Sequence, residues 1–135
     1  MKKFAQYALG LFYLFTGPLI HLYCLAFNRQ IYTGMADTAW PLYQTVWTDV
    51  ILPFLAPWVT LLILFEIVAG LLMLSRYPKF AARGQLLGIL FNLFLVPFWW
   101  VPFNVPNLLM AALHGLFFWT ERRKARQIPP QPALT

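Results

Sequence analysis

Charge is the scarcest thing in this sequence. Only 10% of its 135 residues are Asp, Glu, Lys or Arg, against about 25% in soluble domains. With 61% hydrophobic residues the chain has too little polar surface to clothe a soluble core of its own size. One integral membrane domain is therefore expected, with no room for a second. Cysteine is nearly absent: Cys24 stands alone, which excludes an internal disulfide and a Cys-x-x-Cys redox pair. Serine is nearly absent too. Ser75 is the only one, next to Arg76 at a span end, with no histidine at its depth. No nucleophile triad, phosphate loop or paired catalytic carboxylates are found, so no catalytic residue is assigned. No HxxH or HxxxH pair is present, and no metal is assigned although two histidines and an acid are possible ligands. No internal repeat of the kind that marks many secondary transporters is found.

What is abundant is long apolar sequence. Four segments follow one another, at about 4–27, 50–74, 81–101 and 105–120. A span needs about 20 residues, and the shortest, the fourth, can continue as a helix through the basic tail. The first is too long for a signal-peptide core and no small-x-small cleavage site follows, so it reads as a transmembrane helix. The fold expected is an all-α, four-transmembrane-helix bundle over residues 1–127, with residues 128–135 a disordered proline-rich tail.

Nine of the ten Lys and Arg fall on one side of this topology: Lys2 and Lys3, then Arg76, Lys79 and Arg83, then Arg122, Arg123, Lys124 and Arg126. Only Arg29 falls on the other. The positive-inside rule places both termini and the loop at 75–83 in the cytoplasm. It also accounts for the net charge of +6 without a nucleic-acid partner, since these cations lie beside anionic headgroups. The localisation expected is a bacterial inner membrane, with membrane lipids as partners. The loop at 28–49 carries Asp37, Trp40, Tyr43, Trp47 and Asp49. Its aromatics suit an interfacial connector with a short amphipathic helix near Trp40–Trp47, in preference to a lid. The turn at 102–107 is tight and uncharged, with Asn104 a candidate cap for the fourth helix. Prolines 18, 53, 57 and 97 interrupt the outer halves of the spans and are expected to kink them.

Each span carries a stripe of small and polar residues at helical spacing, the face expected to turn inward. These are Gly10, Leu14, Gly17 and His21; Leu62, Glu66, Ala69, Gly70 and Met73; Gly84, Gly88 and Asn92; and Asn107, Ala111, His114, Gly115 and Phe118. Glu66 is the residue the others surround. A carboxylate in mid-span costs about 2.5–3.5 kcal/mol on insertion scales, so something must face, ligate or protonate it. At 1.5 Å per residue, Asn92 and His114 lie roughly 14–15 Å from the outer end, Glu66 at a similar level and His21 nearer the surface, at roughly 9 Å. Glu66, Asn92 and His114 are thus expected in one layer, with His21 above. This is either a proton-handling or ligand-binding site or a structural network in which Glu66 bonds His114 or Asn92.

The stretch LLILFEIVAGLLMLSRYPKFAARG, with an acid in the second span, small residues, an apolar run and a basic turn into the third, resembles the DoxX-like family of small four-helix membrane proteins. The first span, LGLFYLFTGPLIHLY, is similar to that family's opening helix, with Gly17 and His21 in its late-glycine and following polar places. The resemblance covers about two-thirds of the chain. It implies association with membrane redox partners, with a quinone as the possible cofactor, and carries Glu66 over as the functional residue. A more distant resemblance is to the sterol-isomerase and sigma-2-receptor type of bundle (EXPERA), whose buried acids face a lipid-like ligand. That reading would require Asp37 and Asp49 to fold inward.

The leading expectation is a DoxX-like membrane protein whose cavity holds a hydrophobic small molecule, quinone or lipid, beside Glu66, His114, Asn92 and His21. Three others stand beside it: a non-catalytic subunit or assembly factor that meets a protein partner through Gly84 and Gly88, an EXPERA-like lipid protein, and a small proton-coupled transporter that would need a homo-oligomer.

Overall fold

The computed structural model describes residues 2–98 and 104–127. The described residues are helical throughout apart from short turns, with no strand. We label the helices α1 (Lys3–Phe27), α2 (Gln30–Asp37), α3 (Pro41–Met73), α4 (Pro78–Phe98) and α5 (Asn104–Gln127). Among them α1, α3 and α4 are long and apolar enough to cross a membrane. The expected first span coincides with α1. The expected third span begins three residues early, at Pro78, which takes the first turn of α4. As anticipated, α5 runs on through the basic tail to Gln127.

The second span differs from expectation. It begins at Pro41 and absorbs the short helix foreseen in the loop. Trp40 is extended, with φ −61° and ψ 148°, and Pro41 is preset for a first helical turn, so the helix starts there; it loosens at Leu52–Phe54, where Phe54 has φ −119° and ψ 39°, and runs on to Met73. Asn104 also departs from its expected capping role: its Oδ1 is buried without a hydrogen-bond partner among the described residues. The end of the third span at Val101, the turn residues Pro102 and Phe103, and the tail at 128–135 lie outside the described residues.

Two of the four prolines act through π turns. Phe12–Thr16 and Trp47–Ile51 are π-helical. Each ends at a residue whose N–H reaches five residues back, Gly17 to Phe12 and Leu52 to Trp47, and each is followed at once by Pro18 or Pro53. A proline lacks the N–H of the i to i−4 ladder and crowds the carbonyl of that position; widening the preceding turn makes room for it. The extra residue also rotates the helix face. In α1 the side chain buried inward is Tyr13, with Leu14 only partly covered, where an unbroken helix places Leu14.

Small residues let the helices approach closely. A Cβ on Gly70 would lie 2.7 Å from the backbone nitrogen of Leu14, and one on Gly84 would lie 2.5 Å from that of Met73. Thus α1 meets α3, and α3 meets α4, backbone to backbone. On the other side of α4, Gly88 receives the His114 ring of α5: a Cβ there would stand 2.6 Å from the ring. The Gly84–Gly88 pair, placed on the inward stripe, packs one glycine against each neighbouring helix, which leaves it unavailable for the alternative contact with a partner protein. Gly115, placed in the inward stripe of the fourth span, has nothing within 4 Å of its Cβ position; Ala111, His114, Phe117 and Glu121 form the buried face instead.

The segment between α1 and α3 packs on the end of the molecule away from the basic turns. Thr38 Oγ1 donates to Phe98 O at 2.9 Å, the Trp40 N–H donates to Pro97 O at 2.9 Å, and Trp47 Nε1 donates to Tyr32 O at 2.6 Å. Tyr43 and Trp47 stack edge-on against Phe98. The distribution of polarity is the inverse of a soluble protein. Glu66, Gln85, Asn92, His114 and Glu121 are buried, while Leu19, Leu64, Leu90, Leu109 and Leu116 are each at least half exposed. An apolar exterior over a polar interior suits a lipid surround.

Candidate functional site

The four expected site residues fall into two neighbouring polar groups. The first joins α1, α2 and α3. Glu66 is 3% exposed, and its carboxylate rests directly on the backbone of α1, where a Cβ on Gly17 would lie 2.7 Å from both oxygens. Only glycine leaves space for a carboxylate there. One turn further along α1, His21 brings Nε2 to 3.5 Å from Glu66 Oε1. The other ring nitrogen, Nδ1, is 2.9 Å from the Tyr32 hydroxyl of α2.

The Tyr32 hydroxyl has two acceptors in reach on His21, Nδ1 at 2.9 Å and the backbone carbonyl at 3.4 Å. If the Tyr32 O–H donates to Nδ1, the imidazole proton resides on Nε2, the atom nearest the carboxylate. Glu66, His21 and Tyr32 then form a continuous polar line from the interior of α3 to the loop segment. His21 is its one partly exposed member, with 21% of its side chain accessible. Tyr32 is held by the Trp47 bond to its carbonyl and by packing against Cys24 and Val59. Burial, with smaller contributions from Cys24 and Glu66, pushes its hydroxyl up to about 12. It therefore stays a neutral donor throughout the physiological range.

The second group joins α1, α4 and α5. Asn92 Nδ2 donates to the Tyr13 hydroxyl at 2.9 Å and to Gly88 O at 2.8 Å. His114 Nδ1 is 2.7 Å from Gln85 Oε1, and its ring meets Tyr13 edge-on at 5.4 Å between centroids. An amide oxygen only accepts, so Nδ1 carries the proton and Nε2 is left as an acceptor. That Nε2 is buried without a hydrogen-bond partner, as is Gln85 Nε2.

The structure thus brings together Glu66 with His21, and Asn92 with His114 by way of Tyr13. It does not join Glu66 to Asn92 or His114 in the hydrogen bond expected of a purely structural network: Glu66 Oε2 is buried with no hydrogen-bond partner among the described residues. Three members escaped sequence reasoning. Gln85 stands at helical spacing from Gly88 and Asn92 and was legible as part of that stripe. Tyr13 was hidden by the π turn, and Tyr32 by its place in a loop. Asp37 and Asp49 are exposed, so neither supplies a buried acid to this site. Among the described residues no three His, Cys, Asp or Glu side chains gather in a metal-binding arrangement.

No family model, curated protein or solved structure matches this chain. The functional reading rests on its own geometry.

Proposed function

We propose that this protein is a four-span bacterial inner-membrane protein of the DoxX-like kind, with its basic end in the cytoplasm. Its Glu66 site would bind the polar group of a hydrophobic small molecule, a quinone or a lipid. The observation that carries the reading is the unequal state of the two Glu66 oxygens. Oε1 faces His21, while Oε2 is buried with no hydrogen-bond partner among the described residues. Leaving a buried polar atom unsatisfied costs about 1–3 kcal/mol, more if it is charged. A hydroxyl donated by a ligand removes that penalty. So does a proton on Oε2, which then donates to a ligand carbonyl. Either way the carboxyl recognises one oxygen on an otherwise apolar molecule. His21 and Tyr32 supply a route for exchanging the proton toward the loop end.

Native mass spectrometry of gently solubilised protein, with extraction of lipids and quinones from the same sample, tests this. A discrete small molecule should stay with the wild type and be lost from a folded Glu66→Gln variant. Retention indifferent to Glu66 contradicts the reading.

A further inference from the structure

At the opposite end of the helices from Tyr32 lies a cavity of about 320 Å³, lined by Lys3, Tyr7, Ser75, Arg76, Glu121 and Lys124 among others. It is within the range of ligand pockets, roughly 300–1,000 Å³. The charges around it are unbalanced. Three cations line it, and the single acid, Glu121, is buried and already paired with Lys124. Neither Lys3 nor Arg76 makes an ion pair with a described residue; the Arg76 guanidinium donates to the Tyr77 hydroxyl at 2.9 Å and lies over the Tyr77 ring.

The backbone adds to this field. Both α1 and α4 begin at this end, and a helix N-terminus carries partial positive charge. No side chain caps the N-terminus of α4. Ser75 Oγ accepts from the Tyr77 N–H at 3.2 Å, so its own proton is available to donate. Two cations that form no ion pair among the described residues and a hydroxyl donor, gathered on one cavity, form a receptor for a multiply acceptor-bearing anion.

We propose that this cavity binds a phosphate group, with Lys3 and Arg76 as its principal ligands and Ser75 as a neutral donor. Its position at the end of apolar helices favours the headgroup of an anionic phospholipid as the source. The flanking surface fits acyl chains, since Phe4, next to Lys3 in α1, is largely exposed. The site is independent of Glu66: the two lie at different levels, and each can fail without the other.

The test uses the full-length protein in detergent, exposed to phosphatidylglycerol or to phosphatidylcholine and read by native mass spectrometry. Phosphatidylglycerol should be retained at least tenfold better. The Lys3→Gln/Arg76→Gln double variant should lose that preference. An Arg122→Gln/Arg126→Gln variant, which removes the same charge outside the cavity, should keep it and so separates a site from general basicity. A parallel arm measures thermal protection by inorganic phosphate. Protection by millimolar phosphate that the Lys3/Arg76 variant loses also supports the site, with a free anion as its source. Equal retention of the two lipids with no phosphate effect, or loss of preference in both double variants alike, overturns the proposal.

Discussion

The Glu66 carboxylate lies on Gly17: a β-carbon added to that glycine would stand 2.7 Å from both carboxylate oxygens. This contact fixes which face of α1 the acid meets, and it brings His21, one turn on, within reach of Oε1. Gly17→Ala should therefore displace the carboxylate and destabilise the protein by about 1–3 kcal/mol, the usual range for overpacking. Shortening the acid should relieve it. Thermal unfolding of Gly17→Ala, Glu66→Asp and the double variant should show strong coupling, with the double less destabilised than the sum of the singles.

The other glycines should rank by what confronts them. Gly84→Ala meets the backbone of Met73 and Ala69 at 2.5 and 2.9 Å, which cannot give without moving α3 away from α4. Gly88→Ala meets the His114 ring at 2.6 Å, a side chain with some freedom. Gly34 and Gly115 face open space within helices, where alanine gains up to about 1 kcal/mol of helix propensity. The expected order of stability is Gly115→Ala and Gly34→Ala at or above wild type, then Gly88→Ala, then Gly84→Ala. Unfolding temperatures measured in one detergent check it.

Removing the Tyr32 hydroxyl should uncouple His21 from the loop segment. Tyr32→Phe keeps the ring packing and deletes the 2.9 Å contact to Nδ1, a loss of about 1 kcal/mol. With that contact gone, Tyr32 no longer biases which imidazole nitrogen carries the proton. Nitrogen NMR of labelled histidine should report a changed tautomer at His21 and an unchanged one at His114, whose Nδ1 is held by Gln85.

The same hydroxyl gives a pH dependence. Its ionisation is pushed from 10 up to about 12, chiefly by burial. The folded state therefore holds the proton more tightly than the unfolded state. The stabilisation is fully present below pH 10 and is lost as pH rises toward 12. Wild type should lose stability over that window more steeply than Tyr32→Phe in equilibrium unfolding at alkaline pH.

Much of this was readable in the sequence because lipid imposes simple rules. Apolar length located the helix at 4–27 and the start of the one at 81 within a few residues, and the stripe of small and polar residues picked out Glu66, Asn92, His114 and Gly17, all of which are buried. Two things were not readable. The π turns before Pro18 and Pro53 rotate the face of each helix, which replaced Leu14 by Tyr13 on the inside. A depth count at 1.5 Å per residue sets levels and leaves azimuth open. It placed Glu66, Asn92 and His114 in one layer, while the helix faces turn Glu66 toward Gly17 and His21 and turn His114 toward Gly88 and Gln85.

The central claim is that Glu66 presents one oxygen for a ligand. The chain has only two glutamates, Glu66 and Glu121, so infrared spectra of protein labelled with carboxyl-13C glutamate contain two glutamate signals. The signal lost in Glu66→Gln should shift when a short-chain benzoquinone or a phospholipid is added, while that of Glu121 stays in place for the quinone. A Glu66 signal unmoved by either molecule and by whatever co-purifies with the protein would contradict the account.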